Sequence, residues 1–443
     1  SAGASMSRIR SIRRTAVAAA MVATTMLAGA AASDAATKPS GRAAQPALPG
    51  APGVPLGPAG SAFYDPPAKL PAGRPGTVIW ARPIQAPRNA WAWKVLYKST
   101  VVGGRTVPVS GLVISPRGKT PRGGRPVVAW AHGTLGGARS CAPSIPANPA
   151  RNLVDYYSYG ARDTIDVGVP ALTQMLKAGY TVTATDYQGL GGPGVHQYTV
   201  GGTEARNVFD SVKAAQELPA AAAGKRVVVL GWSQGGGAAI FTGQAGFADY
   251  GKPLKVIGIA ALAPAANTAP DIEGLAPQGP VSSMSPSVTT VQELNLYRGL
   301  AAAYPELSID DVVAAAGMPA FRALWNQCTI HLGDVIQELG VDPETFFKRP
   351  APAEWRTRFQ QNTAGNETTV APVLTMQGTA DTVVNPNGTT QYIARACRFG
   401  QPVQYSIYPG QNHQTIPFAA QKEYVGWIAD RFAGRSAPSN CAP

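Results

Sequence analysis

Charge is scarce in this sequence. Asp, Glu, Lys and Arg make up 14% of its 443 residues, against 45% hydrophobic residues. Lys and Arg outnumber Asp and Glu, 38 to 25, but they are spread along the chain. No dense basic run and no basic stretch interleaved with aromatics occurs, so no nucleic acid is expected as a partner. Cysteine is rare: Cys141, Cys328, Cys397 and Cys441 are the four. None forms a C-x-x-C pair and no H-E-x-x-H occurs, which argues against zinc. No metal or other cofactor is expected. Past Leu27 no apolar run is long enough to cross a bilayer. Histidine occurs four times, so chemistry that needs an imidazole must choose among His132, His196, His331 and His413.

The N-terminus has its own pattern. Arg8, Arg10, Arg13 and Arg14 precede an apolar run from Ala16 to Leu27, and the small residues Ala28-Gly29-Ala30 follow. A basic region, a short apolar region and a small-residue cleavage site read as a secretory signal peptide. The Arg13-Arg14 pair raises a twin-arginine route. Residues 1–36 are assigned to this signal, with extra residues ahead of Met6. Residues 37–62 are rich in Pro, Gly and Ala and are expected to form a flexible leader. The rest is expected to be exported and soluble. An even cysteine count in an exported chain argues for two disulfides, with three pairings open.

What the chain does have is rhythm. Lys94 to Thr100 and Thr106 to Ser115 read as a hairpin turning at Gly103-Gly104. Short apolar strands follow at Pro126–Ala131, Tyr180–Thr185, Arg226–Leu230 and Val256–Leu262, alternating with helix-compatible stretches. That alternation predicts an α/β fold with a mostly parallel sheet. From 265 to 369 it stops, and the text becomes helical and punctuated by Pro. There, Ser308-Ile309-Asp310-Asp311 resembles a capping box, and Asp342-Pro343 sets a capping residue before a helix-starting Pro. Strands return at Val373–Met376 and Val403–Tyr408. The organisation predicted is a core of 63–264 and 370–443 with a helical insertion at 265–369.

One stretch carries a chemical signature. Gly231-Trp232-Ser233-Gln234-Gly235 follows an apolar strand and precedes a small-residue helix. This matches G-x-S-x-G, a tight strand-to-helix turn that pushes the Ser hydroxyl out of the backbone path. The stretch fits no phosphate-binding loop. A Ser at its free pKa is a weak nucleophile and needs a base. In this arrangement the acid and then the His follow the Ser in the chain. His413 lies in the loop after Val403–Tyr408, where a base must reach back, whereas His331 sits in the insertion on a stretch that reads as packing. Asp381 follows Val373–Met376 in Gly378-Thr379-Ala380-Asp381 and suits the acid that orients the His. Asp186 also ends a strand, but it precedes the Ser and is expected to fix its own loop. An oxyanion needs N–H donors. The backbone of Gln234 supplies one, and the loop His132-Gly133-Thr134-Leu135 supplies the other through Thr134 or Leu135. His132 is expected to be a structural hydrogen-bonding residue. Trp232 reads equally as a pocket wall or as core packing.

Several motifs together carry a resemblance. They are Ala131-His132-Gly133-Thr134, Cys141-Ala142-Pro143-Ser144, Thr185-Asp186-Tyr187-Gln188-Gly189-Leu190-Gly191, Gly231-Trp232-Ser233-Gln234-Gly235 and Gly378-Thr379-Ala380-Asp381. From Phe63 onward the chain resembles the secretory lipase family of exported α/β-hydrolases, in its actinobacterial form. The resemblance implies an α/β-hydrolase fold with a helical cap inserted after the sixth core strand and covering the site. It implies the pairs Cys141–Cys328 and Cys397–Cys441. It implies a secreted carboxylic ester hydrolase of the triacylglycerol lipase type with Ser233, Asp381 and His413 as catalytic residues. The expected partner is a hydrophobic ester, met at a lipid–water interface by a monomer. A serine peptidase or an acyltransferase on the same fold is the alternative.

Overall fold

The computed structural model describes residues 48–153, 168–267 and 286–441. The expected signal peptide lies outside the described residues. Nine strands form one sheet: β1 (Val78–Pro83), β2 (Ala90–Thr100), β3 (Thr106–Pro116), β4 (Arg125–Ala131), β5 (Thr181–Thr185), β6 (Ala223–Trp232), β7 (Lys255–Leu262), β8 (Val373–Gly378) and β9 (Val403–Tyr408). Their spatial order is β1-β2-β3-β5-β4-β6-β7-β8-β9. The first three strands pair antiparallel, as does β3 with β5. From β5 to β9 every pair is parallel. The central strands β4 and β6 are rich in Val and β5 alternates Thr with Val and Ala, and the middles of all three are buried on both faces, as a sheet covered on two sides requires.

Helices supply those covers, and further helices lie between β7 and β8. They are α1 (Leu172–Lys177), α2 (Gly201–Gln216), α3 (Gln234–Gly243), α4 (Ala248–Gly251), α5 (Pro286–Ala303), α6 (Met318–Ala323), α7 (Thr329–Glu338), α8 (Ala353–Gln361), α9 (Pro386–Cys397), α10 (Ile416–Ala419) and α11 (Gln421–Phe432). Residues of α1, α10 and α11 pack on one face with Trp130, Val182 and Leu230. Residues of α2, α3 and α9 pack on the other with Val127, Val229 and Val373. Between β7 and β8 the described residues form helices and turns, with an apolar cluster of their own around Tyr297, Trp355 and Phe359. Cys141 is bonded to Cys328, and Cys397 to Cys441.

Some expectations need correction. The flexible leader does not extend to residue 62. From Leu48 onward the chain lies on the sheet: Leu48 and Ala51 are buried, Trp93 Nε1 donates to Pro49 O at 2.9 Å, and Gly57 N donates to Ala81 O at 3.0 Å. A Pro/Gly/Ala segment cannot build a core, but it can lie flat on exposed indoles that another segment provides. Strand β1 was not anticipated, because Val78–Pro83 is short and ends in Pro. The Ser308 capping box is absent: Ile309–Asp311 is a single tight turn with no side-chain cap. Asp342 does cap, accepting from Glu344 N with Pro343 at the first position.

Asp186 follows β5 and is buried. Its carboxylate accepts from Ser110 Oγ at 2.6 Å, from Ser144 N at 3.1 Å and from the Ser144 hydroxyl. Burial pushes this carboxyl up from 3.8 to about 6, against the pull of those bonds and of Lys94. The folded form therefore holds a proton that the unfolded chain releases near pH 4. The stability this brings is present below pH 3.8 and is lost as pH rises through 6. Asp186→Asn is expected to flatten that part of the dependence. Melting curves from pH 4 to 7 check it: the wild-type minus variant difference should fall with pH, and a constant difference would refute the assignment.

Candidate active site

Ser233, Asp381 and His413 follow the C-terminal ends of β6, β8 and β9, three strands at one side of the sheet. Ser233 sits between β6 and α3 at φ 59°, ψ −119°, a region costly for a residue with a side chain. Its backbone is held from both sides: Ser233 N donates to Leu262 O at 2.9 Å, and Ser233 O accepts from Ala265 N at 2.8 Å and Gly236 N at 2.9 Å. The flanking glycines are sterically required. A Cβ on Gly231 would come within 1.9 Å of Gly235 O, and one on Gly235 within 1.9 Å of Ala131 O. Strand and helix can pass this closely only without side chains.

His413 Nδ1 and Asp381 Oδ2 are 2.8 Å apart, and both side chains are almost fully buried. Asp381 Oδ1 accepts from Val383 N and Val384 N, each at 2.8 Å, and Oδ2 also accepts from Gln377 Nε2 at 3.1 Å. These donors fix the carboxylate and leave one oxygen for the imidazole. Trp232 does two things that sequence could not separate. Its ring lies 5.4 Å from the His413 ring, and its Nε1 donates to His413 O at 3.1 Å. It also belongs to the core cluster beneath.

Ser233 and His413 line one cleft with Gly133, Thr134, Trp232, Gln292 and Val383. The cleft holds about 230 Å³, counting space open to solvent. Among the described residues no hydrogen bond joins Ser233 Oγ to His413; such contacts are commonly long until substrate is bound. Gln234 opens α3, where the first N–H groups of a helix have no partner within it. Thr134 borders the cleft and its hydroxyl pairs with Tyr198 OH at 2.8 Å. Leu135 does not border the cleft: its side chain packs with Ala138, Cys141 and Leu190, and its carbonyl takes the Thr329 N–H at 3.0 Å.

The insertion grips this loop. Cys328 is bonded to Cys141, Thr329 N reaches Leu135 O, and Arg298 Nη2 donates to Gly137 O at 2.6 Å. From α5 of the insertion Gln292 also reaches the cleft, a residue that sequence reading missed because nothing local marks it. The other imidazoles lie elsewhere. His132 is buried, with Nδ1 2.7 Å from Gly133 O and Nε2 3.2 Å from Asp186 O, and burial pulls it down to about 4. His331 is not packed as its stretch suggested: its side chain is 41% exposed, 4.0 Å from Asp334, because α7 turns that face to solvent. Among the described residues no His/Cys/Asp/Glu group suited to a metal occurs.

The family model for secretory lipases matches residues 162–440. The chain belongs to the secretory lipase family. Within this lipase and esterase type of α/β-hydrolase, a protein of Mycobacterium tuberculosis (strain CDC 1551 / Oshkosh) named probable inactive lipase MT1628 is 23% identical over 391 residues. The match spans 85% of this chain and 83% of that protein. Candida antarctica lipase A superposes with a TM-score of 0.67 at 17% identity, over 86% of this chain and 87% of that one. The rice cell wall degrading esterase LipA from Xanthomonas oryzae gives 0.62 at 17% identity, over 82% of this chain and all of that one. The secretory lipase chain thus shares the α/β-hydrolase fold of both.

Proposed function

We propose that the chain is a secreted serine ester hydrolase acting on hydrophobic acyl esters. One observation carries the reading: His413, paired with the buried Asp381, lines a cleft together with a strained Ser233. In the proposed cycle His413 takes the Ser233 proton as Oγ attacks the ester carbonyl. The backbone N–H of Gln234, with that of Thr134, receives the negative charge on the carbonyl oxygen. His413 then protonates the departing alcohol, leaving an acyl-Ser233. Water, activated by His413, completes hydrolysis. Asp381 keeps the proton of His413 on Nδ1 and steadies the imidazolium. Helices α5 to α8 act as a cap that shapes the acyl site, with Trp232 and Val383 as apolar walls.

A panel of p-nitrophenyl esters from acetate to palmitate, with a triacylglycerol emulsion, tests the substrate class. Turnover is expected to persist at long acyl chains. A sharp fall beyond butyrate would leave a short-chain esterase and remove the lipase part of the claim. A catalytically silent binding protein is the second reading, favoured by the name of the mycobacterial relative. Hydrolysis of no ester in the panel would remove the hydrolase reading and favour this one.

A further inference from the structure

Gln234 was singled out for its backbone, yet its side chain is the better-anchored part. Its Nε2 donates to Glu204 Oε1 at 2.7 Å and to His196 Nε2 at 3.0 Å. The amide has two N–H bonds and meets two acceptors. Turned over, its oxygen would face a carboxyl oxygen and an imidazole lone pair, so the orientation is forced. His196 is set up to accept, because its Nδ1 donates to Gln188 O at 2.9 Å. Burial keeps this imidazole neutral by pulling it down to about 3. Glu204 is fixed in turn: its Oε1 also accepts from Thr199 N at 2.9 Å. All three side chains are at most 2% exposed.

The same stretch holds the other side of the cleft. Tyr198, two residues after His196, pairs its hydroxyl with Thr134 Oγ1. Residues 196–204 therefore grip both backbone segments that border the carbonyl site, the start of α3 and the loop after β4. Gly201 N binds Asn362 Oδ1 at 3.0 Å, and Gln197 Nε2 binds Ala302 O at 3.3 Å, which ties this stretch to the insertion as well.

We propose that Glu204 is a positioning residue for the oxyanion site, holding the Gln234 side chain so that the Gln234 backbone N–H stays aimed at the carbonyl oxygen. This rests on the ester-hydrolase reading. Glu204 touches no reacting atom and acts only through Gln234. Burial pushes the carboxyl up to about 7, against its bonds to Gln234 and Thr199, so the negative charge that would oppose the oxyanion falls away below that pH. Small displacements of a positioned donor are costly to rate, since a misplacement of about 1 Å can cost about 100-fold.

Two substitutions separate hydrogen bonding from charge. Glu204→Gln keeps an acceptor oxygen at the same reach and removes the charge. Glu204→Asp keeps the titratable carboxyl and withdraws the acceptor by about 1.5 Å. Glu204→Gln is expected to retain kcat within about threefold, and Glu204→Asp to lose about tenfold or more with KM nearly unchanged. Affinity for a trifluoromethyl ketone that forms a tetrahedral adduct with Ser233 should fall in step with kcat. Both proteins are checked by melting curves, and both retain a polar group for the buried amide. Full kcat and inhibitor affinity in Glu204→Asp, or a loss in Glu204→Gln as large as in Glu204→Asp, would overturn the proposal. Failure of either variant to fold would also overturn it, by making Glu204 a structural requirement. An inactive wild-type protein would instead remove the hydrolase reading, and this proposal with it.

Discussion

Ser233→Ala is expected to lower kcat on an activated ester by about a million-fold, with little change in melting temperature. The fold has little to lose. Among the described residues Ser233 Oγ makes no hydrogen bond, and the bonds that hold residue 233 run through its backbone to Leu262, Ala265 and Gly236. Ala carries the same Cβ, so the strain at φ 59° stays as it was. Only the nucleophile is removed. The oxyanion donors and the cleft remain, so slow hydrolysis above the rate in water should persist, by about 10³-fold. Loss of labelling by a fluorophosphonate, with an intact melting curve, checks the chemistry at this oxygen. A variant that keeps even a hundredth of wild-type activity would sink the acyl-enzyme mechanism.

The second large effect is expected at Asp381. Asp381→Asn should cost about 10⁴ in kcat, because the neighbouring donors leave the amide a single orientation. Val383 N and Val384 N both point at Oδ1, so an Asn must place its carbonyl oxygen there. Its NH2 then faces His413 Nδ1 and Gln377 Nε2, where Oδ2 accepts in the native protein. Two donors confront each other at Gln377. At His413 the ring must accept on Nδ1 and carry its proton on Nε2, the tautomer that cannot take a proton from Ser233. Steady-state kinetics on one p-nitrophenyl ester, beside a melting curve, reads the result. An Asn variant within tenfold of wild type would remove Asp381 from the mechanism.

Legibility in the sequence followed distance along the chain. The turn around Ser233 was readable because its requirements are local: an apolar strand, two glycines where Cβ atoms collide with backbone at 1.9 Å, and a small-residue helix. Asp381 and His413 were assigned from strand ends and chain order, which survive without knowing how strands pack. Residues 48–62 were misread because composition reports whether a segment can fold alone, and here the apolar partner, with Trp93 at its centre, comes from β2. The packing of the loop after β4 was equally out of reach. Leu135 O is held by Thr329 N and Cys141 by Cys328, partners almost two hundred residues later.

The amino-acid sequence by itself determined the α/β class, the parallel run of strands, the place of the insertion and the strained serine turn. Each depends on periodicity or on steric demands within a few residues. Only the tertiary structure decided how the site is held. Glu204 with Gln234, Tyr198 with Thr134, Arg298 with Gly137 and Trp232 with His413 join elements 30 to 181 residues apart. Burial turns those contacts into constraints, because a buried polar group without its partner loses water and gains nothing in return. That condition belongs to the folded chain, and no local pattern records it.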